Sequence, residues 1–362
     1  MKKFIILPLL FLSLIAFSKR NIDKKITKNY TGISNITCKN KSIDVKLIGS
    51  EDKNTTIKAE IKGSILRGND IDIKFNKNGN TLDIEVIYPS RSISMNFSKA
   101  EIYIVTNKST DFLIDSSSGD IYIEGFDNNF SSINSSSGEI TVDNIKCSKT
   151  VTIKASSGDI EAHNIQSSLN VKASSGEITA EDISGVVMAK ASSGDIEIKK
   201  CDHDVKIKTS SGNILAMNIN GNISGYSSSG DHRYTDISGN IEARASSGRV
   251  NINDSNGYFK LNTSSGNIDL TSLSGTINAE AGSGNINGKD ITLLKSNKFT
   301  TNSGDTRISL NNSPQDLRFL LTSRSGDLHI NDMENEKNLT YGNGSIQIIG
   351  KSGSGYQKYT SR

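Results

Sequence analysis

Tryptophan is absent from this 362-residue chain, and proline occurs only 3 times. Because proline removes a backbone donor from a β-ladder, this scarcity suits a chain that is mostly strand. Cysteine also occurs only 3 times, at Cys38, Cys147 and Cys201. An odd number at irregular spacing excludes a disulfide framework. Charged residues make up 22% and nearly cancel, to a net charge of +3, so no nucleic-acid partner is expected.

Long apolar runs are also scarce, and the clearest one spans residues 4–17, directly after Lys2 and Lys3. Its length fits the hydrophobic region of a signal peptide and is short for a membrane anchor, which is the alternative. Ala16 and Ser18 supply the small residues of a cleavage site. We therefore predict that residues 1–18 are a signal peptide. The mature chain is expected to have no transmembrane segment and to be exported to the periplasm, the cell surface or the medium.

A triplet that ends in glycine, most often Ser-Ser-Gly, recurs through most of the chain. The repeat glycines are Gly119, Gly138, Gly158, Gly176, Gly194, Gly212, Gly230, Gly248, Gly266, Gly284, Gly304, Gly326 and Gly344. Every step from Gly158 to Gly284 is 18 residues long, and the other steps range from 18 to 22. A fixed period in this range is typical of stacked repeat proteins.

Within each repeat, apolar residues alternate with polar ones. Ile196 and Ile198 lie at offsets +2 and +4 from Gly194, and Val205 and Ile207 lie at +11 and +13. Alternation with period 2 marks a strand with one buried face. Offset +7 is apolar as well, and a second glycine is common at +9. Each repeat is therefore predicted to form two short strands separated by two corners, at which glycine is expected to adopt a positive φ.

Equivalent corner positions are identical from repeat to repeat, which favours parallel, in-register coils over antiparallel hairpins. The sequence predicts an all-β fold, a right-handed parallel β-helix (β-solenoid) of about thirteen 18-residue coils at residues 116–350. We expect seven glycines to be structural corners. These are Gly158, Gly176, Gly194, Gly212, Gly230, Gly248 and Gly266.

The two ends of the chain lack the repeat. Residues 19–115 keep strand alternation and contain Asn78-Gly79, a hairpin-turn sequence, so we predict a β cap or irregular early coils there. A cap is needed because exposed strand edges recruit other chains. Residues 351–362 contain little apolar sequence and are expected to be a loose tail.

The strand Ala-Glu-Ile-Tyr-Ile-Val at 100–105, the segment 113–121 and the following Ser-Ser-Gly-[Asp/Glu]-Ile units form a characteristic order. This order resembles the bacterial putative-adhesin β-strand-repeat family, a domain family of unknown function. The resemblance spans roughly residues 30–350. It implies a right-handed β-helix on an exported or envelope protein, and it supplies no catalytic residues. The cell-wall anchor or membrane segment of some members is missing from this sequence.

Two charged columns are predicted on the surface. Acidic residues occupy offset +1 at Asp120, Glu139, Asp159, Glu177 and Asp195. We expect solvated corner carboxylates with a nearby lysine, and cation binding is the alternative. Lysines occupy offset −4 at Lys154, Lys172, Lys190 and Lys208, followed by Tyr226 and Arg244. The lysines are either a solvated face or a surface that holds an anionic polysaccharide or a lipid headgroup.

One repeat is unusual, because His232 and Tyr234 occupy its inward positions. We expect a core histidine with a hydrogen-bond partner or a shifted register, and a functional site is the alternative. Cys201 replaces isoleucine at offset +7 and is expected to be a buried, inert thiol. Cys147 lies near a corner and is expected to be exposed.

These features together predict a non-enzymatic, exported β-solenoid of the cell envelope, acting as an adhesin or surface scaffold. Its partners are expected to be envelope glycans or surface proteins, with no cofactor and no metal. A polysaccharide-active β-helix enzyme is one alternative, although uniform repeats leave no room for the protruding loops that such sites need. A protein that assembles into filaments through its coil ends is another.

Overall fold

The structure is a computed structural model that describes residues 19–66, 71–88 and 94–362, without the side chain of residue 94. The expected signal peptide lies outside the described residues. Strands make up nearly all of the regular structure, which confirms the all-β class. Within these ranges, no helix is long and apolar enough to cross a membrane.

Thirty-three strands are described, in three groups. The N-terminal group is β1 (Lys19–Thr31), β2 (Asn35–Lys39), β3 (Asp44–Ser50), β4 (Asn54–Leu66), β5 (Asp72–Asn78), β6 (Thr81–Ile87) and β7 (Ser94–Asn107). The central group begins with β8 (Asp111–Ser116), β9 (Ile121–Asn128), β10 (Ser131–Ser135), β11 (Ile140–Cys147), β12 (Val151–Ala155), β13 (Ile160–Gln166), β14 (Leu169–Lys172), β15 (Ile178–Ile183), β16 (Val187–Lys190), β17 (Ile196–Cys201) and β18 (Val205–Lys208).

The central group continues to the edge of the C-terminal region. Its remaining strands are β19 (Ile214–Ile219), β20 (Ile223–Ser227), β21 (His232–Ile237), β22 (Ile241–Ala245), β23 (Val250–Thr263), β24 (Ile268–Ala281), β25 (Ile286–Leu293), β26 (Ser296–Thr301) and β27 (Thr306–Leu310). A single 3₁₀ turn, Pro314–Asp316, leads to the last group. This group is β28 (Leu317–Ser323), β29 (Leu328–Ile330), β30 (Met333–Asn335), β31 (Asn338–Tyr341), β32 (Ile346–Ser352) and β33 (Gln357–Ser361).

Each central coil adds one strand to each of two parallel sheets. The first sheet runs through β8, β10, β12, β14, β16, β18, β20 and β22, and the second through β9, β11, β13, β15, β17, β19 and β21. Pairing is in register, so Ile178 lies beside Ile160 and Ile196. The parallel β-solenoid is therefore confirmed. Its uninterrupted winding, from β8 to β27, makes about 10 turns, and further coils extend both ends.

The inward side chains form columns between the two sheets. Ile160, Ile178 and Ile196 of the second sheet, and Leu169 and Val187 of the first, are at most 1% exposed. Burying an isoleucine stabilises a fold by roughly 1.5–3 kcal/mol. Repetition of this burial in every coil supplies a continuous core without disulfides, and Cys38, Cys147 and Cys201 are unpaired.

A column of left-handed residues at offset +6 bends the coils of the second sheet from the Gly138 repeat to the Gly284 repeat. Its members have φ between 49° and 57° and are Asn144, Asn164, Asp182, Lys200, Asn218, Asp236, Asp254, Ser272 and Asp290. The bend inserts one outward residue, so the inward positions are +2, +4 and then +7. Asparagine and aspartate tolerate this conformation better than other non-glycine residues, which explains their prevalence here.

The repeat glycines serve a different purpose from the one expected, because none of the seven predicted corner glycines has a positive φ. Each lies against the backbone of the preceding coil instead. A Cβ added at Gly194 would overlap the carbonyl oxygen of Gly176, and the same contact recurs between Gly176 and Gly158. Glycine is thus required because successive corners stack in backbone contact, with no space for a side chain.

The N-terminal residues cap the solenoid out of chain order. Strands β2 and β3 form the first coil, against β8 and β9. Strands β6 and β7 lie in parallel on the outer side of that coil. Antiparallel strands then close the end, with β5 on β6, β4 on β7 and β1 on β4. The predicted hairpin is present, because Asn78 pairs with Thr81 and Gly79 has a φ of 60°.

The C-terminal segment inserts into the stack, so the expectation of a loose tail at 351–362 is wrong. Strands β32 and β33 lie between the coil of β26 and β27 and the coil of β28 and β29. Tyr359 on β33 is fully buried. Gly355, rather than Gly344, joins the glycine column, between Gly304 and Gly326. The sequence signal is weak because, of the two fully buried residues of this short strand, Gln357 is polar and only Tyr359 is aromatic.

The stacking contact predicts that Gly194→Val unfolds the solenoid locally. The new side chain would collide with the backbone of Gly176, and we expect a loss of about 3 kcal/mol or more. Urea unfolding measures this loss, with the exposed neighbour Ser193→Ala as the control that stays within about 0.5 kcal/mol. Equal stability of the two variants would contradict the steric role of the glycine column.

Candidate functional site

A column of four lysines runs along the outer face of the first sheet. Strands β12, β14, β16 and β18 place Lys154, Lys172, Lys190 and Lys208 in register, each paired with the next. All four are exposed. Adjacent strands are about 4.8 Å apart, so the column presents one ammonium group per strand spacing. The predicted ladder is therefore present as a continuous surface feature.

These lysines carry uncompensated charge. In the described ranges, no carboxylate lies within salt-bridge distance of any of the four, whereas Lys199 and Lys200 of the second sheet are paired. The Nζ atom of Lys199 lies 2.5 Å from Oε1 of Glu197, and the Nζ atom of Lys200 lies 2.8 Å from Oε1 of Glu181. Like charges at this spacing repel one another, although solvent and salt reduce the repulsion. A polyanion would relieve the repulsion.

The next two coils end the column. Tyr226 and Arg244 occupy its next positions, and the guanidinium carbon lies 5.4 Å from the ring centroid. Glu242 accepts a hydrogen bond from Arg244 at 2.6 Å and lies 3.1 Å from Lys260. Lys260 and Arg244 together hold the pKa of Glu242 below its usual value. Charge is therefore balanced locally where the column stops.

A shallow groove of about 490 Å³ begins beside the last two lysines of the column, Lys190 and Lys208, and extends over the following coils. Its ends are formed by Met188, which is 50% exposed, and Tyr258, which is 41% exposed. Ser224 and Asn240 line the groove between them. Sequence analysis missed this groove, since it arises from a small residue, Ser224, between larger ones on neighbouring coils.

The aspartates of the acidic column at offset +1 accept hydrogen bonds from backbone N–H groups of the next coil. Asp195 accepts the backbone N–H of Asn213 at 2.7 Å, and Asn213 accepts that of Asp231 at 3.0 Å. Asp159 accepts the N–H of Glu177 at 2.8 Å. Because asparagine serves as well as aspartate, the shared property is a short side-chain oxygen and not charge. The alternative of a cation-binding ladder gains no support from this geometry.

His232 lies in a buried polar network inside the solenoid. Its Nε2 lies 2.7 Å from the hydroxyl of Ser227, and its Nδ1 lies 2.9 Å from the hydroxyl of Tyr234. Tyr234 reaches across the shaft, where its hydroxyl occupies the space that a side chain at Gly225 would need. Burial lowers the pKa of His232 to about 4. This residue is thus a core histidine with hydrogen-bond partners.

The cysteines are all buried. Cys201 is 1% exposed, as expected, and burial raises the pKa of its thiol. Cys147 is 5% exposed, so its expected exposure is wrong. It lies at the end of β11, where the alternation of the strand turns its side chain inward.

The profile of the Toastrack DUF4097 family matches residues 33–218 and 199–360. The chain belongs to this family. The match covers most of the Toastrack chain and confirms the resemblance to a family of unknown function. No curated protein matches the chain.

Several solved structures are similar to this Toastrack protein at low identity. One is described as a putative cell adhesion protein from Clostridium sporogenes ATCC 15579, with 13% identity, coverage of 94% of this chain and 100% of the other, and a TM-score of 0.24. A putative adhesin from Bacteroides fragilis NCTC 9343 has 16% identity, coverage of 93% and 97%, and a TM-score of 0.25. A putative lipid binding protein from Parabacteroides distasonis ATCC 8503 has 16% identity, coverage of 92% and 96%, and a TM-score of 0.25.

One group of possible metal ligands lies on the last coil of the Toastrack chain. Ligand atoms of Asp327, His329 and Glu334 are within 4.8 Å of one another, on β29, the residue before it and β30. The two carboxylates are exposed. Lys358 is paired with His329 on the adjacent strand β33, which places a cation beside the group. We assign no metal to these residues.

The ladder geometry predicts that removing the side-chain oxygen of Asp195 lowers the stability of the fold, whereas removing only its charge does not. Asp195→Ala should lose about 1 kcal/mol of stability, because the N–H of Asn213 loses its acceptor. Asp195→Asn keeps an oxygen in place and should stay within about 0.5 kcal/mol of the original protein. Thermal unfolding with calcium and with a chelator checks both points. A midpoint that rises with calcium only when Asp195 is present would favour the cation ladder.

The buried histidine predicts acid sensitivity. The pKa of His232 is about 4 in the folded protein and near 6.5 in the unfolded chain. The contribution of the neutral imidazole to folding stability is therefore complete above about pH 6.5, and it is lost as the pH falls from 6.5 toward 4. When the pH is lowered from about 7 to 5, the free energy of unfolding should fall by about 2 kcal/mol less in His232→Gln than in the original protein. Urea unfolding at the two pH values measures the difference, and His203→Gln, at an exposed position, is the control. An unchanged pH dependence in His232→Gln would show that His232 titrates normally.

Proposed function

We propose that this protein is a non-enzymatic binding and scaffold module of the cell envelope, which holds a linear polyanion along the lysine column. The observation that carries the proposal is the set of four unpaired lysines on adjacent strands. Their spacing is set by backbone hydrogen bonds. The ammonium groups therefore rise from a rigid base, and the backbone loses little conformational freedom when a ligand binds.

Electrostatics favour an extended ligand over a compact one. A polyanion that lies parallel to the solenoid axis meets one positive charge per coil over four coils. Each exposed contact is weak, at about 0.2–1 kcal/mol, but contacts along one rigid chain act together. Binding of this kind weakens as salt rises, because exposed charges are screened.

The shape of the surface supports a binding role over a catalytic one. The groove and the lysine column are open surfaces on short strands, and the connections between strands are two to five residues long in the regular coils. Polysaccharide-cleaving sites need acids and bases gathered around the scissile bond. In the part of the chain that the structure describes, both carboxylates of the groove already have partners. Asp204 accepts a hydrogen bond from the backbone N–H of Asn222, and Glu242 forms a salt bridge with Arg244.

Placement outside the cytoplasm is part of the proposal and rests on residues 1–18.

The ends of the solenoid favour a single rod over a filament, because antiparallel strands close them. The edge strand β1 is rich in lysine, which discourages pairing with another copy.

The lysine column predicts a charge-specific loss of binding. Lys172→Ala with Lys190→Ala should weaken retention of a linear polyanion by about 1–2 kcal/mol, roughly 5- to 30-fold. The matched control is Lys289→Ala with Lys358→Ala, which removes the same charge from exposed positions on the second sheet. The measurement is binding of the chain without residues 1–18 to polygalacturonate, polyglycerol phosphate and inorganic polyphosphate.

Stability of the column variant should stay within about 0.5 kcal/mol, as for other exposed positions. Binding to none of the three polymers, or equal losses in the column and control variants, would refute the proposed function.

A further inference from the structure

The lysine column and the groove lie side by side on one sheet. In the coils of Lys190 and Lys208, the residues two positions earlier are Met188 and Lys206, and both line the groove. Two residues along a strand span about 6.6 Å. A single extended chain therefore meets both surfaces at once in these coils.

The groove offers two kinds of contact that a plain charged surface lacks. Val186, Met188 and Tyr258 expose 40%, 50% and 41% of their surface there. The hydroxyl of Ser224 and the side-chain N–H₂ of Asn240 have no hydrogen-bond partner among the described residues. Apolar faces next to unused donors suit a ligand that has both C–H faces and hydroxyl groups.

The charges of the groove balance, while those of the column do not. Lys206 and Lys260 face Asp204 and Glu242 within the groove. Lys190 and Lys208 beside it have no carboxylate partner in the described ranges. An occupant is therefore neutral where it enters the groove and negative where it faces the column.

We infer that the ligand is a polyuronate, an unbranched polysaccharide with a carboxylate on each pyranose ring. This inference rests on the proposed function and names its ligand class. The rings lie along the groove, with C–H faces on Met188 and Tyr258 and hydroxyls accepting from Ser224 and Asn240. The carboxylates face Lys190 and Lys208.

A polyphosphate has no apolar face, so it would bind the column and leave the groove empty. This difference separates the two ligand classes by experiment. The probes are polygalacturonate, inorganic polyphosphate and dextran, a neutral polysaccharide, titrated by calorimetry into the chain without residues 1–18. The groove variants are Tyr258→Ala, which removes an apolar wall, and Ser224→Trp, which fills the floor. Neither changes the charge.

We expect polygalacturonate to bind more tightly than polyphosphate of equal charge, and dextran to bind weakly or not at all. Tyr258→Ala should weaken polygalacturonate binding about 3- to 10-fold and leave polyphosphate binding unchanged. Ser224→Trp should do the same to a greater degree. Since both positions are on the surface, circular dichroism should show intact strands in both variants.

Equal effects of the groove variants on both polymers, or tighter binding of polyphosphate, would overturn the polyuronate assignment and leave the polyanion function standing. Binding of polygalacturonate that is insensitive to Tyr258→Ala and Ser224→Trp would do so as well. Loss of all binding in every test would overturn the proposed function itself.

Discussion

Backbone contact between the corners of successive coils is the constraint on which the structure depends. The carbonyl oxygen of one repeat glycine lies where the next glycine would carry its Cβ, so the corners approach as closely as the paired strands do. A bulkier residue at any step would open the ladder on both sides of that corner. The glycine column thus lets the corners stack at the pitch that the hydrogen bonds between strands set. The columns of isoleucine inside and of polar residues outside follow from that pitch.

A repeat that stacks in register turns any preferred residue into a line. Lysine at one offset becomes a row of charges, and aspartate or asparagine at another becomes a chain of side-chain acceptors for backbone N–H groups. The groove arises in the opposite way. It requires departures from the repeat, with Ser224 small and Met188 and Tyr258 large. Local irregularity therefore distinguishes one coil from the next, and a selective surface needs such differences.

The period and the alternation were sufficient to predict the parallel coils and their buried columns, because both depend on which positions repeat. Three features could not be obtained this way. The left-handed residue at offset +6 appears in the sequence as a preference for asparagine and aspartate, which Lys200 and Ser272 do not follow and which by itself does not specify a positive φ. The role of Asp195 depends on the backbone N–H of Asn213 in the next coil, which donates a hydrogen bond to its side chain. The position of Gly355 depends on strand order, which the repeat spacing does not encode. The lysine column was predictable, but the absence of carboxylate partners required coordinates.

The insertion of β32 and β33 has a consequence for how the chain is completed. Strands β28 and β29 are made before the pair that joins them to β26 and β27. During synthesis from the N-terminus, the distal coil has no place on the rod until β32 and β33 have emerged. Attachment of the distal coil is therefore tied to the synthesis of β32 and β33. A product that stops short of it ends in unsealed sheet edges, which quality-control proteases and chaperones recognise.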